Sequence, residues 1–107
     1  MVSLQGVGEF PTSVGPSPVP EKFLLMQNYP NPFNPSTVIA YDLATSTKVT
    51  LEVYNLLGQQ VAMPVNRVQP AGKYQVEFNA TGFPSGVYFY KLTAGSFVSA
   101  RKMILTR

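Results

Sequence analysis

The chain has 107 residues, contains no cysteine, histidine or tryptophan, and carries a formal net charge of +3. Its length suits a single domain. Without cysteine and histidine it has no disulfide, no thiol nucleophile, and neither the commonest general base nor the commonest metal ligand. With 45% hydrophobic and only 12% charged residues, most of the chain should fold around a core.

The first residues have the composition of a flexible linker. Residues 1–22 are rich in Pro, Gly and Ser, and we predict a folded domain over residues 23–107. Such a linker favours a module tethered to a larger protein; the alternative is a tail on a free-standing protein. The chain does not open with the charged and apolar regions of a signal peptide, so an export signal would lie upstream of Met1. No apolar run approaches the ~20 residues of a membrane span.

A stiff segment with three prolines leads directly into the first predicted strand. Pro30, Pro32 and Pro35 each fix φ and remove a backbone donor, so the segment must be extended or turning. Phe33 lies between them, free to dock on a neighbouring surface. From residue 37 to 43 the side chains alternate, with Thr, Ile, Tyr and Leu on one side. We therefore predict that Phe33 anchors the segment at the start of a strand.

The rest of the chain alternates between short strands and turns. The passage 64–72 contains two prolines and is predicted as a crossing loop. About six or seven strands without a helical period indicate an all-β fold, an antiparallel immunoglobulin-like β-sandwich. The predicted strands cover residues 37–43, 48–54, 60–63, 73–79, 87–94 and 97–105.

Tyr88 lies near the start of an aromatic strand, after a turn containing Pro84 and Gly86. This arrangement is similar to a tyrosine corner, in which the hydroxyl bonds back to upstream backbone. The alternative is that Tyr88 and Tyr90 are core rings with their hydroxyls at the rim.

The residues that could support catalysis or ligand binding are few. Two carboxylates on neighbouring strands could form a pair for glycoside hydrolysis, but exposed acids usually keep a sheet soluble. There is no Asp-rich calcium loop and no phosphate-binding glycine run, so we predict no catalytic, cofactor-binding or metal-ligating residue. Four aromatic residues could form a platform for sugar rings or fill the core instead. The acids are Glu9, Glu21, Asp42, Glu52 and Glu77, and the aromatic residues are Tyr54, Tyr88, Phe89 and Tyr90.

Basic residues crowd the C-terminal end of the chain. Lys91, Arg101, Lys102 and Arg107 lie within the last seventeen residues, whereas all five acids lie at or before Glu77. Scattered Lys and Arg on a strand usually form a solvated face or protect an edge, so we do not predict a nucleic-acid partner. Exposed strand edges also make a weak homodimer plausible.

The chain resembles one family through five fragments in matching order. These fragments resemble the C-terminal sorting domain (type A) of type IX secretion system cargo proteins, and the resemblance covers nearly everything from about Lys22 onward. They are Leu-Met-Gln-Asn-Tyr-Pro-Asn-Pro-Phe-Asn-Pro-Ser-Thr at 25–37, Val53-Tyr54-Asn55 leading through Leu57-Gly58 to Val61, Ala71-Gly72, Ser85 to Tyr90, and Lys102 to Arg107.

The resemblance implies a non-catalytic targeting role. A larger exported protein would cross the periplasm, engage the outer-membrane translocon through this domain, and reach the cell surface or the extracellular space. A sortase-like peptidase would remove the domain within the linker, leaving the upstream cargo domain attached or released. The partner-recognition residues implied by position are Pro30, Asn31, Pro32, Phe33, Gly86, Tyr88, Lys102 and Arg107.

The last strand ends at the chain terminus, which suggests how a partner could capture it. Its backbone and basic residues could be exposed for strand addition and charge pairing. Deleting residues 103–107 would then stop export but leave the domain largely folded; alternatively these residues complete the sheet. Two other functions stay open, an immunoglobulin-like structural or assembly module and a carbohydrate-binding module of a secreted hydrolase.

Overall fold

The computed structural model describes residues 19–106. Most of the predicted linker and the predicted recognition residue Arg107 lie outside these residues. Within them there is no helix long and apolar enough to span a membrane. Seven strands are present in this range. They are β1 (Leu24–Leu25), β2 (Ser36–Leu43), β3 (Thr47–Asn55), β4 (Gln60–Gln69), β5 (Gly72–Asn79), β6 (Gly86–Ala94) and β7 (Phe97–Leu105).

The strands form two antiparallel sheets that pack as a sandwich. One sheet has the order β1-β2-β5 and the other β4-β3-β6-β7, with every strand pair antiparallel. This confirms the predicted all-β sandwich and its strand number. The immunoglobulin-like assignment stays a prediction.

Strand alternation determines the core. In β2 the side chains of Ile39, Tyr41 and Leu43 are fully buried, whereas Val38 on the other face is exposed, as the period of two predicts. Because both sheets present such a face, their buried residues form one hydrophobic cluster. The opposite sheet contributes Val49, Leu51, Val53, Tyr88, Tyr90, Leu92, Met103 and Leu105.

The predicted crossing loop at 64–72 is wrong, because β4 continues to Gln69. Leu51 pairs with Val65 and Val53 pairs with Ala62. Two residues of β4, including Pro64, therefore oppose one residue of β3 in a β-bulge. A proline is tolerated here because β4 is an edge strand and a bulge leaves one residue out of the ladder.

Asp42 also departs from the sequence-based expectation. The alternation of residues 37–43 places it on the outer, polar face of β2, but it is only 5% exposed. Leu24 of the unpredicted strand β1 pairs opposite it. Its carboxylate accepts a hydrogen bond from Lys73 Nζ at 3.4 Å, so the buried charge is compensated.

The chain runs along the sandwich from one end to the other before β2 begins. Near its start Phe23 stacks on Phe97, with ring centroids 5.5 Å apart. We call that end the proximal end. The opposite end holds the 30–35 proline segment, the 56–59 turn, the 80–85 loop and Thr106, and we call it the distal end. Strand β7 spans the distance between the two ends, about 25 Å.

Candidate recognition site

The proline segment docks on the end of the last strand. The backbone N–H of Phe33 donates to Ile104 O at 2.9 Å, and the N–H of Thr106 donates to Phe33 O at 2.9 Å. Asn31 takes part through its side chain, whose Oδ1 accepts from the N–H of Ile104 at 3.0 Å. Residues 31–33 therefore replace a short neighbouring strand beside β7, and two sequence motifs about seventy residues apart form one surface.

Phe33 anchors this contact in the core, as predicted. Its side chain is 1% exposed and packs edge-on against Phe78, with ring centroids 6.3 Å apart. The prolines around it and Asn31 remain exposed. The peptide bonds that precede Pro30, Pro32 and Pro35 are all cis.

A buried polar network holds the start of the segment. Asn28 is 2% exposed, and its Nδ2 donates to Pro30 O at 3.1 Å and to Thr37 Oγ1 at 3.0 Å. The Thr37 hydroxyl in turn donates to Pro30 O at 2.8 Å. Sequence reasoning missed this network, although a threonine on the apolar side of β2 was an available signal.

Tyr90 links the same segment to the second sheet. Its hydroxyl donates to Met26 O at 2.7 Å and accepts the N–H of Asn28 at 2.8 Å. Burial raises the pKa of Tyr90 above the ordinary 10.0, while its hydrogen bond with Asn28 and the charge of Arg101 act in the opposite direction. The ring is fully buried, so Tyr90 both packs the core and positions the proline segment.

The expectation that the backbone of the last residues is free for strand addition is wrong for much of that edge. Gln27 Nε2 donates to Lys102 O at 2.8 Å, and both backbone groups of Ile104 are bonded to the proline segment. The Lys102 side chain itself is exposed, and neither ion pair within residues 19–106 involves it. A partner can therefore reach the charge of Lys102 more readily than the backbone beside it.

The tyrosine corner is confirmed at the start of β6. The hydroxyl of Tyr88 donates to Pro84 O at 2.7 Å, and its ring is 5% exposed. Gly86 pairs with Leu105 of β7 and has a φ of 149°, in the region that favours glycine. Gly86 and Tyr88 line one side of an open cleft of about 480 Å³, and the 56–59 turn lines the other.

Within residues 19–106 the structure does not bring together the carboxylate pair or the aromatic platform that the sequence left open. Asp42 and Glu52 lie on the outer faces of different sheets, and Glu52 forms an ion pair with Lys91, with Oε1 and Nζ 3.8 Å apart. Of the two options for the aromatic residues, Tyr88 and Tyr90 take the second and fill the core, so the four rings do not form a platform for sugars.

Most of the family-like fragments meet at the distal end. Pro30, Asn31, Pro32, Phe33, Gly86 and Tyr88 lie there, and Lys102 follows along β7. The Leu57-Gly58 turn also lies there. Leu57 and Gly86 line the same cleft, which their spacing along the chain does not predict. Ala71-Gly72 lies at the proximal end, where Gly72 pairs with Leu43.

Comparison with known proteins gives matches over the same part of the chain. A family model described as the secretion system C-terminal sorting domain matches residues 27–106. A crystal structure of dimeric latent PorU from Porphyromonas gingivalis is similar, with a TM-score of 0.62 and 17% sequence identity. The match covers 91% of this chain but only 10% of that chain, and at this identity it supports the fold alone. A search of curated proteins found no match.

Proposed function

Since this chain belongs to the family of type IX secretion system C-terminal sorting domains, we propose that it is a non-catalytic signal that directs an upstream cargo domain through the outer-membrane translocon. Membership of the family implies an exported protein that goes to the cell surface or the extracellular space. The cargo would cross the periplasm first.

The observation that supports this role best is the meeting of separate family-like fragments on one surface. Hydrogen bonds between the proline segment and β7 join the first of these fragments to the last, and β7 pairs in turn with Gly86 and Tyr88. A partner that reads this surface recognises the folded domain and not a linear peptide. Incompletely folded cargo tails would then fail to be recognised.

The partners proposed are the translocon and a sortase-like peptidase. The peptidase would cut within the predicted linker, residues 1–22, and the cargo would be attached to the surface or released. Phe23 stacks on Phe97 and Leu25 is buried, so a cut after this point would damage the fold. We therefore place the cut before Phe23.

A fusion experiment tests the sorting role. A reporter with its own N-terminal signal peptide is joined to residue 1 and produced in a bacterium with a type IX secretion system. We expect the reporter at the surface or in the medium, ending before Phe23 by mass spectrometry. The same reporter without residues 23–107 should stay in the periplasm. Equal distribution of the two reporters would overturn the proposal.

Lys102 offers a test that leaves the fold intact. Its side chain is exposed and in no ion pair within the described residues, so Lys102→Glu should leave thermal unfolding unchanged. If this charge meets an acidic partner, export should fall several-fold. Lys48→Glu is the matched control, because Lys48 is exposed on the same sheet face at the proximal end. Equal export by both variants would remove Lys102 from the recognition surface.

A further inference from the structure

Two leucines stand exposed on a rigid turn at the distal end. Leu56 is 68% exposed and Leu57 is 83% exposed. Turns normally carry polar residues at such positions, since apolar side chains there gain nothing from folding. These two side chains therefore contribute little to the core, which suggests a role outside it.

The turn is held firmly by a single asparagine. Asn55 Oδ1 accepts the N–H groups of Leu57 and Gln59, each at 3.0 Å, and Asn55 Nδ2 donates to Gln59 Oε1 at 2.8 Å. Gly58 has a φ of 82° and donates its N–H to Asn55 O at 3.0 Å. The leucines are thus displayed in a fixed position, which lowers the entropy cost of binding.

The cleft beside the turn is apolar and of useful size. Its volume of about 480 Å³ falls within the range of roughly 300–1,000 Å³ that is typical of binding pockets. Leu56, Leu57 and Val61 form one wall, and Phe83, Pro84 and Val87 form the other. Its lining contains no charged side chain. A concave apolar site of this kind has room for one inserted side chain.

One uncompensated positive charge, that of Lys102, lies on the sheet face next to the cleft. Val87 of the cleft pairs with Ile104, and the next outward-facing pair along the two strands is Phe89 with Lys102. Glu52 on this face is already matched by Lys91, which leaves the Lys102 charge uncompensated by the described acids. Charge complementarity therefore favours an acidic occupant.

We propose that this cleft binds an extended acidic segment of a partner protein, which inserts one apolar side chain between Leu57 and Val87. The assignment of that partner to the export machinery rests on the proposed sorting function. The cleft would bind such a segment whether or not the export role is correct, so the two can be tested separately.

Binding is tested first with defined peptides and the full chain. The probe is a capped pentapeptide with a central phenylalanine flanked by two aspartates on each side. Methyl NMR should show saturable shifts at Leu57 and Val87, with Val98 unaffected, and at least tenfold weaker binding when alanine replaces phenylalanine or lysines replace the aspartates. Absence of shifts, or equal binding of the three peptides, would overturn the proposal. Shifts caused only by anionic phospholipid vesicles would overturn it in favour of a lipid site.

Export of the reporter fusion gives the second test. Leu57→Asp should reduce export at least tenfold because it adds a negative charge to the apolar wall, whereas Leu57→Lys should reduce it less. Val98→Asp is the matched control, since Val98 is 60% exposed on the same face but at the proximal end. All three variants should unfold at the temperature of the native chain.

The outcomes separate the cleft from the sorting role. If the native domain exports the reporter and Leu57→Asp does so equally well, the cleft's partner does not belong to the export machinery, and the sorting function stands. If the native domain does not export the reporter, the sorting function fails, and the peptide experiment alone then supports or overturns the cleft.

Discussion

Two buried tyrosines at neighbouring positions of β6 make hydrogen bonds of unequal importance. Tyr88 makes one bond, to Pro84 O, whereas Tyr90 bonds both Met26 O and the N–H of Asn28. Removal of a hydroxyl costs the bond itself and, where a buried partner is left unpaired, the desolvation of that partner as well. Loss of the Tyr90 hydroxyl should therefore destabilise the domain more than loss of the Tyr88 hydroxyl.

We expect Tyr88→Phe to lower the free energy of unfolding by about 1 kcal/mol and Tyr90→Phe by about 2–3 kcal/mol. Urea unfolding followed by circular dichroism measures both changes. The two variants remove the same atom from adjacent inward positions, so each is the other's control. A larger loss of unfolding free energy for Tyr88→Phe than for Tyr90→Phe would contradict the greater importance of the two Tyr90 hydrogen bonds.

The same burial predicts how stability depends on pH. Desolvation raises the pKa of Tyr90 and of Tyr41 above 10.0. At Tyr41 the hydrogen bond to Gln69 and the charge of Arg67 lower the pKa, whereas the neighbouring Tyr74 raises it further. The unfolded tyrosines lose their protons near pH 10, before the folded ones do. Because the unfolded state then binds fewer protons, stability falls as pH rises above this value.

We therefore expect the urea midpoint to be nearly constant between about pH 7 and pH 9 and to fall above about pH 10. Tyr90→Phe should show a smaller alkaline decrease than the native chain, even though it is less stable at neutral pH. An identical decrease in the two proteins would show that Tyr90 does not contribute to it.

At the scale of the strand, β7 contributes both to the core and to the docking of the proline segment. Met103 is fully buried and Leu105 is 3% exposed, while Ile104 and Thr106 bond to the proline segment. Loss of one such buried side chain costs about 2–5 kcal/mol, against a total stability of about 5–15 kcal/mol for a typical domain.

Deletion of residues 103–107 should consequently abolish cooperative unfolding, as seen in a circular dichroism melt. The sequence alone suggested a largely folded product, and the burial of Met103 and Leu105 favours the opposite outcome. Lys102→Gln is the control, since it changes only an exposed side chain and should melt like the native chain. A sharp melt of the shortened chain would contradict this view of β7.

The strands differ in how well sequence patterns predict them. Those with regular alternation, such as β2 and β5, lie where the pattern placed them. The pattern failed for β4 because its bulges shift the period at Met63 and Pro64, and a proline normally argues against a strand. It also missed β1, whose two residues are too few to show a period.

For the whole molecule, the sequence predicted which motifs matter but not that they meet. Phe33 was expected to anchor the proline segment, and the end of the chain was expected to contact a partner. That Phe33 binds Ile104 and Thr106 follows from the order of strands in the two sheets. Spacing along the chain does not determine that order. The apolar cleft was missed for the same reason, since its two walls come from segments on different strands.

The described contacts predict where the domain begins. A chain that starts at Lys22 keeps the Phe23–Phe97 stack and the buried Leu25, so its melting temperature should lie within a few degrees of that of the full chain. A chain that starts at Tyr29 also loses the Asn28 network and should melt at least 10 °C lower, since each 1 kcal/mol shifts the melting temperature by about 4–8 °C. Equal melting of the two shortened chains would contradict a boundary before Phe23.

The direction of the segment before β2 also determines how the domain would respond to mechanical force. The described chain begins at the proximal end, where the proposed cargo would be joined, whereas the proposed recognition surface lies at the distal end, about 25 Å away along the strands. A cargo that pulls on the linker while a partner holds the distal end would load the domain in shear. The bonds of β1 to β2 and of Phe33 to β7 would then bear the load together and would not peel apart one after another. A domain loaded in this way would withstand a higher force than one whose strands separate one at a time.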